Sequence, residues 1–569
     1  MTGSPRPAAG DVPPTEPAAA VTVEDLSITF PTPGADVLAV DGLSFTLRPG
    51  AALGIVGESG SGKSATALSL LGLHRGTSAR VSGRIEVAGV DVLTATDETV
   101  RGLRGSEAAM VFQDPMSALD PYFSVGDQIA EVYRLHTGAS RAAARRRAVE
   151  VLDRVGVPNA ARRVGDHPHQ FSGGQRQRAL IAMALACEPR VLVADEPTTA
   201  LDVTVQAQIL DLLHQLRTET GMALLLVTHD LGVIAGTVDD VLVMQDGRAV
   251  ERGPVTSVLA SPQHVYTRSL LAAVPRVDVP RVVSAPDRPA ATEPLVRLVD
   301  VRQDFPVGHG LVPGRRETLA AVDGVTLDVR AGETLGVVGE SGSGKTTLAR
   351  MMVRLLRPTG GRVEFDGTDI GGLSERALRP FRRDLQMVFQ DPVSALNPRR
   401  SIGESIADPL RAAGIRDDRK IRDTVRDWLE RVGLDPDRHD AYPHEFSGGQ
   451  RQRVGIARAL VRSPKLVVCD EPVSALDVST QAQIIGLLAE LQRELGTTLV
   501  FVAHDLAVVR QVSDRVAVMS QGRLVELADA DTLYTDPRHE YTRTLLAAVP
   551  VLDPEAARER RAQRLAPTG

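Results

Sequence analysis

Cysteine is almost absent from this sequence: Cys187 and Cys469 are the only two in 569 residues. With no CxxC pair and no Cys/His cluster, neither a zinc ribbon nor an all-cysteine iron–sulfur centre can be assembled within one chain. Two thiols fit a reducing compartment. Long apolar runs are missing as well. A membrane span needs about 20 mainly apolar residues, whereas the best stretch, 179–187, has nine uncharged residues before Glu188 stops it. Residues 1–20 are rich in Pro and Ala and lack an apolar h-region, so they read as a floppy tail rather than a signal peptide. There is no excess of positive charge: 72 acids against 65 bases give a net charge of -7, which argues against nucleic acid as a partner. Aromatics are only 3% of the chain, and of the 65 basic residues only Lys63, Lys345, Lys420 and Lys465 are lysines. Where Lys survives such an Arg bias, its ammonium is a candidate for a specific task. What remains is ordinary for a folded protein, 43% hydrophobic and 24% charged, which excludes a disordered or collagen-like chain. The length allows about four domains at roughly 150 residues each.

The chain is a duplication. GIVGESGSGKSATAL at 54–68 recurs as GVVGESGSGKTTLAR at 336–350, and FSGGQRQR at 171–178 recurs at 446–453. VLVADEPTTALDVTVQAQI at 191–209 returns as LVVCDEPVSALDVSTQAQI at 466–484, and HVYTRSLLAAVP at 264–275 as HEYTRTLLAAVP at 539–550. The two lysines of the first motif are 282 residues apart, and Ser172/Ser447, Glu196/Glu471, His229/His504 and Tyr266/Tyr541 are each 275 apart. The first-half segment TPGAD is lengthened to HGLVPGRRET at 309–318 in the second. Five prolines between Pro275 and Pro294, with no helical or strand period, mark a linker. The expected organisation is a tail over 1–20, domains over 21–275 and 295–550, a linker over 276–294, and an Arg- and Ala-rich tail over 551–569 that is either a short helix or disordered.

Short apolar runs at 53–56, 191–194 and 223–227, and at 335–338, 466–469 and 498–502, read as buried strands, each followed by a helix-like stretch. Strands alternating with helices predict an α/β fold with a parallel sheet and its chemistry at the strands' C-terminal ends. The segment 140–155 predicts a helix capped by Ser140, with Arg145–Arg147 on its solvated face.

Two runs, Gly57-Glu58-Ser59-Gly60-Ser61-Gly62-Lys63-Ser64 and Gly339-Glu340-Ser341-Gly342-Ser343-Gly344-Lys345-Thr346, fit the P-loop pattern. In it a strand turns sharply through glycines, so that backbone N–H groups and a helix N-terminus meet phosphate oxygens. The Lys neutralises β/γ-phosphate charge, and Ser64 or Thr346 can ligate Mg2+. Asp195-Glu196 and Asp470-Glu471 close later strands; there Asp suits Mg2+, and Glu can polarise an attacking water. His229 and His504, ending the next strands, are placed to meet a γ-phosphate. Gln113 and Gln390, each in MVFQDP, offer an amide to Mg2+ and water. Ser172-Gly173-Gly174-Gln175 and Ser447-Gly448-Gly449-Gln450 form a second cradle without a Lys, which suggests service to a nucleotide held by the other half.

This ordered set resembles the ATP-binding cassette ATPases over nearly the whole chain, twice. GESGSGKS, QDPMSALDP at 113–121, QDPVSALNP at 390–398 and the two HxYT ends resemble the ATPase subunits of oligopeptide, dipeptide, nickel and glutathione importers, in a form that fuses both cassettes. The resemblance implies two tandem nucleotide-binding domains, each with a parallel-sheet core, an antiparallel β subdomain and a helical subdomain, over 114–170 and 391–445, that docks to a membrane partner. It implies ATP and Mg2+ as ligands, the signature of one half completing the phosphate site of the other, and Phe30 and Phe305 under the adenines. Two integral-membrane permeases and an extracytoplasmic substrate-binding protein are the implied partners, and the implied place is the cytoplasmic face of the membrane. A cysteine-proline stretch, present in many such subunits after HxYT, is absent here. The alternative is a soluble tandem cassette acting on ribosomes. Such proteins resemble this one in lacking a span, but they carry a long charged helical linker where this chain has a short Pro-rich one. DNA-repair and chromosome-organising relatives would need zinc modules or long coiled coils, and neither is present.

Overall fold

The computed structural model describes residues 19–32, 34–199, 201–279, 293–307, 317–391, 395–474 and 476–565. The tail expected over 1–20, the linker over 276–294 and the insertion at 309–318 therefore lie largely outside the described residues. The chain divides into two compact units. Unit 1 comprises Met1–Pro197, Leu212–Thr228 and Thr237–Val258; unit 2 comprises Thr198–Asp211, His229–Gly236 and Leu259–Gly569.

In unit 1 the central sheet has the spatial order Arg248–Pro254, Asp240–Gln245, Ala52–Val56, Ala223–Thr228, Val191–Asp195, Ala108–Val111. All neighbours pair in parallel except the first two, which form an antiparallel edge. Every residue of Ala52–Val56, Val191–Asp195 and Ala223–Thr228 is buried, as a sheet covered on both faces requires. A second, antiparallel sheet runs Val37–Leu47, Val21–Phe30, Arg80–Val87, Val90–Asp91. Its inward residues Val21, Val23, Leu26, Ile28, Phe45 and Ile85 share one core with Leu53, Ile55, Val193 and Leu225 of the central sheet. Ala67 and Leu70 of the helix Lys63–Leu70 join the same core. That helix is therefore held between two sheets, and its first residue cannot drift.

Unit 2 repeats the plan. Its central sheet runs Leu385–Val388, Leu466–Asp470, Thr498–Val502, Thr334–Val338, Arg515–Ser520, Arg523–Asp529, again parallel with an antiparallel edge. The antiparallel sheet is Glu317–Arg330, Pro294–Val307, Gly360–Phe365, Thr368–Asp369. The expected strands thus appear at their places, and Asp195 and Asp470 belong to them as last residues.

Between the two parts of each central sheet come helices. In the first half they are Val125–Thr137, Arg141–Arg154 and Gly173–Ala184; in the second, Ile402–Ala412, Asp418–Arg431 and Gly448–Leu460. Ser140 caps the second of these as the sequence predicts, its hydroxyl accepting the N–H of Ala143 at 3.3 Å. Arg145 sits on the exposed face, while Arg147 reaches Glu188 at 2.8 Å. The undecided C-terminal tail contains a helix, Pro554–Leu565. Asp553 starts it by accepting the N–H groups of Glu555 at 2.8 Å and Ala556 at 3.2 Å. No described helix is long and apolar enough to cross a membrane.

Candidate functional site

In each unit the glycine-rich loop follows a buried strand and leads into a helix, and at two points it leaves no space for a side chain. A Cβ on Gly57 would lie 2.2 Å from the Met244 carbonyl oxygen, and one on Gly339 would lie 2.2 Å from that of Met519. Gly62 and Gly344 sit at φ 95° and 98°, and a Cβ there would meet the carbonyls of Ala39 at 2.3 Å and Ala321 at 2.2 Å. Glycine is the residue that meets both demands. The helices Lys63–Leu70 and Lys345–Met352 begin directly after it.

Lys63 and Lys345 are buried, with 5% and 6% of their surface exposed. The Lys63 Nζ donates to the carbonyls of Gly57 and Glu58, each at 2.7 Å. The Lys345 Nζ donates to those of Gly339 at 2.7 Å and Glu340 at 2.8 Å. Burial pulls the Lys345 pKa down, against the opposing charges of Glu471 and Asp470. A buried ammonium curled onto its own loop, beside a helix N-terminus, fits an anionic phosphate chain that would compensate its charge.

The next residue points to the Asp-Glu pair. The Ser64 Oγ donates to Asp195 Oδ1 at 3.1 Å, and the Thr346 Oγ1 donates to Asp470 Oδ1 at 2.9 Å. Burial raises the Asp195 pKa to about 6, and the neighbouring Glu196 charge adds to the rise. Asp470 is raised for the same reasons. A hydroxyl and a carboxylate together are the hard oxygen donors that Mg2+ takes. Among the described residues no group of three or more His, Cys, Asp and Glu could hold a metal ion. An ion here would therefore complete its shell with nucleotide oxygens and water.

Glu196 and Glu471 turn away from their strands with φ 46° and 45°, a region that side-chain-bearing residues seldom occupy. Their N–H groups are held by the carbonyls of Val227 at 2.8 Å and Val502 at 2.9 Å. The Gln113 amide donates to Glu196 Oε2 at 2.8 Å, and Gln390 does the same to Glu471 at 2.8 Å. In unit 2 the His504 Nδ1 lies 3.4 Å from Glu471 Oε2. Burial alone would depress the His504 pKa; the Glu471 bond and charge, with Asp505, carry it above its ordinary value. Burial alone would raise Glu471, but His504, Lys345 and Gln390 together hold it below the usual carboxylate range. His229 follows the strand Ala223–Thr228 at the position matching His504.

The signature residues have a local role that the sequence reading passed over. Ser172 and Gln175 form a capping box at the start of Gly173–Ala184, as do Ser447 and Gln450 at Gly448–Leu460. Gln175 and Gln450 accept the N–H of their serines at 3.1 and 3.0 Å. Two arginines missed in the sequence brace these turns. Arg163 lies 4.2 Å over the Phe171 ring and donates to Gln175 at 2.9 Å; Arg438 lies 3.9 Å over Phe446. The available signal was that both arginine–phenylalanine pairs recur 275 residues apart. Phe30 is partly buried, edge-on to His74 at 5.4 Å, whereas Phe305 is 38% exposed. Asp477 caps Val478–Leu495, accepting the N–H of Thr480 at 2.9 Å.

Residues 40–199 and 322–474 match the ABC transporter family. Residues 250–296 and 525–568 match the oligopeptide/dipeptide transporter C-terminal region. The glutathione import ATP-binding protein GsiA of Escherichia coli O157:H7 is 46% identical over 571 residues, covering 95% of this chain and 91% of that protein. Its counterparts in Shigella sonnei and Salmonella typhimurium are each 46% identical over 567 residues, with coverage of 95% and 91%. A dimeric ATP-binding cassette solved with ADP and phosphate matches 41% of this chain and 98% of its own, at 32% identity and a TM-score of 0.38.

The Glu471–His504 pair gives a pH prediction. Glu471, with its pKa lowered, loses its stabilising attraction as pH falls through that lowered value. His504, with its pKa raised, loses it as pH rises through that raised value. The pair is therefore favourable in the interval between. Imidazole NMR should place the His504 midpoint above 6.5, and Glu471→Gln should move it downward. A midpoint that stays put in Glu471→Gln would remove Glu471 as the cause.

Proposed function

The chain belongs to the ABC transporter family, as an ATPase carrying two cassettes in one polypeptide, and from that premise we propose that it powers the import of glutathione or similarly small peptides. It hydrolyses ATP to ADP and phosphate, and hydrolysis is coupled to movement of the solute through membrane permeases. The observation that carries the site assignment is the doubled hydrogen-bond set: Ser64–Asp195 with Gln113–Glu196, and Thr346–Asp470 with Gln390–Glu471. The presence of importer ATPases among the relatives supports transport over a ribosomal role. We take 21–275 and 295–550 as the two ATPase domains, joined by the linker 276–294.

In this reading residues 57–64 and 339–346 cradle the ATP phosphates, with Lys63 and Lys345 against the β- and γ-phosphates. Phe30 and Phe305 lie against adenine. Ser64, Gln113 and Asp195, and Thr346, Gln390 and Asp470, would hold Mg2+, whose charge would offset that of the phosphates and of the two buried aspartates. Glu196 and Glu471 each take a proton from a water as its oxygen bonds to the γ-phosphorus and the bond to the β–γ bridging oxygen breaks. Gln113 and Gln390 aim the carboxylates; His229 and His504 meet the γ-phosphate. Ser172 to Gln175 and Ser447 to Gln450 bind the γ-phosphate of the nucleotide held by the other half's P-loop.

The partners we propose are two permeases and an extracytoplasmic substrate-binding protein, with this chain on the cytoplasmic face. Cargo choice then resides in those partners. The two halves offer them different surfaces. Tyr122 and Phe123 are 85% and 58% exposed, and Met116 of the same segment is 50% exposed. The matching residues of the second half are Arg399 and Arg400. An apolar permease loop suits the first surface; in the second, Arg399 is exposed while Arg400 is ion-paired with Asp408 at 2.8 Å.

Three outcomes test this function. Glu196→Gln and Glu471→Gln should each cut steady-state ATP hydrolysis by about 10²-fold or more, in the range of general-base loss, while sparing ATP binding. A single variant at the parental rate would make that site non-catalytic. In a chain carrying both of these substitutions and lacking Cys187 and Cys469, Ser59→Cys paired with Ser447→Cys should cross-link faster when ATP is added. A link from Ser59→Cys to Ser172→Cys in its place would defeat the shared-site reading. Tyr122→Arg with Phe123→Arg should reduce co-purification with the permeases while leaving ATP hydrolysis by the isolated chain within about twofold. Undiminished co-purification would rule that surface out as the docking face.

A further inference from the structure

The repeated ends HVYTRSLLAAVP and HEYTRTLLAAVP take no part in the chemistry above, yet they are among the closest matches between the halves. In unit 2 several residues of this motif have distinct tasks. Glu526 accepts the backbone N–H of Arg538 at 2.9 Å and of His539 at 3.1 Å, seating the start of the helix Glu540–Ala547. The His539 Nδ1 caps that helix by accepting the Tyr541 N–H at 3.1 Å. Thr542 and Leu545, at 0% and 2% exposure, fix the helix to the core. His264 caps Val265–Ala273 in the same way, accepting the Tyr266 N–H at 3.2 Å, and Thr267 is fully buried.

Tyr541 is left over from this anchoring. Its ring packs against the core, and its hydroxyl accepts the backbone N–H of Glu340 at 3.1 Å. Glu340 is the second residue of the glycine-rich loop. Ser520, the last residue of Arg515–Ser520, stands beside that hydroxyl. The residue before it, Met519, supplies the carbonyl against which Gly339 is pressed. The first turn of the loop is therefore clasped by a strand end on one side and a tyrosine on the other. Burial pushes the phenol pKa up, so the hydroxyl stays neutral.

We infer that Tyr541 is a positioning residue of the second nucleotide site, holding Glu340 so that the loop is ordered before ATP arrives. The inference rests on the reading of residues 339–346 as the phosphate cradle. Glycine-rich backbone has much conformational freedom to lose. A loop already fixed at its second residue loses less of it on binding, and a ligand binds more tightly to a pre-ordered site. The Glu340 N–H is satisfied by the tyrosine and the Ser343 N–H by the Glu340 carbonyl at 3.1 Å, so the first turn of the loop is held at both ends.

The test uses the full chain with Lys63→Ala, so that ATP binding reports the second site, and titrates ATP by fluorescence. Tyr541→Phe keeps the ring and removes the hydroxyl. It should raise the Kd for ATP roughly two- to tenfold, the range that one net intramolecular hydrogen bond covers. It should also speed amide hydrogen exchange in 339–344, with the thermal midpoint unmoved. Tyr534→Phe is the control, because the Tyr534 hydroxyl donates to the Leu506 carbonyl, away from the loop. It should leave both ATP binding and loop exchange as they were. Unchanged ATP affinity in Tyr541→Phe, or a loss that merely follows a lowered thermal midpoint, would overturn the inference. Lys345→Ala separates the two readings. If it abolishes ATP binding and Tyr541→Phe does nothing, only the tyrosine's role falls; if it leaves binding intact, the cradle reading falls with it.

Discussion

At Gly57 and Gly339 the chain leaves a buried strand so close to its neighbour that one added carbon would sit 2.2 Å from a carbonyl oxygen. This backbone-on-backbone crossing fixes where the loop begins, and Gly62 and Gly344 fix where it ends. The lysine that follows is then placed by the helix it starts, not by its own flexible stem. In a parallel sheet the strand ends carrying Asp-Glu and His lie on the same edge as that loop. Once the loop is pinned, Ser64 and Asp195, or Thr346 and Asp470, come within hydrogen-bond distance without further design.

Charge is the second constraint, because the first one buries it. A lysine at 6% exposure and an aspartate at 2% share one site in unit 2, with Glu471 beside them. Alone, each would tend toward its neutral form. Asp195 and Asp470 move that way, and so does Lys345. Glu471 moves the other way because His504 and Gln390 reach it. Two adjacent carboxylates thus have opposite tendencies, the aspartate toward its neutral form and the glutamate toward its ionised one. That division depends on the partners that reach the glutamate, His504, Lys345 and Gln390.

Much of this was legible in the sequence. The six apolar runs were strands because fully buried strands need no alternation, and the repeat located every motif twice. Ser140 declared its helix by the capping pattern alone. The antiparallel edge Arg248–Pro254 was missed because its residues are half-exposed and carry no apolar run. The left-handed glutamates could not be read, since nothing in an Asp-Glu-Pro string demands positive φ; the adjoining strand's carbonyl imposes it. The capping boxes at Ser172-Gln175 and Ser447-Gln450 were readable from their spacing, but the glycines between them drew the reading toward phosphate alone. The helix Pro554–Leu565 stayed undecided because its Arg-rich face offers few apolar anchors, and the Asp553–Pro554 start was the signal to weigh.

What differs between the halves shows where the fold leaves freedom. Loop glycines, lysines, Asp-Glu pairs and capping boxes are the same in both; at Gly57, Gly62, Gly339 and Gly344 a side chain would collide with a carbonyl, and at the lysines and aspartates a change would leave a buried charge uncompensated. Away from that edge the halves diverge. Gly126 faces Val164 where Gly403 faces His439, Tyr122-Phe123 stands where Arg399-Arg400 stands, and Phe30 is packed on His74 while Phe305 is open. These positions lie outside the glycine-rich loops, so their chemistry is free to differ between the halves. A duplicated enzyme with two identical tasks would gain nothing from such divergence. Two chemically alike sites lie within two unlike surfaces.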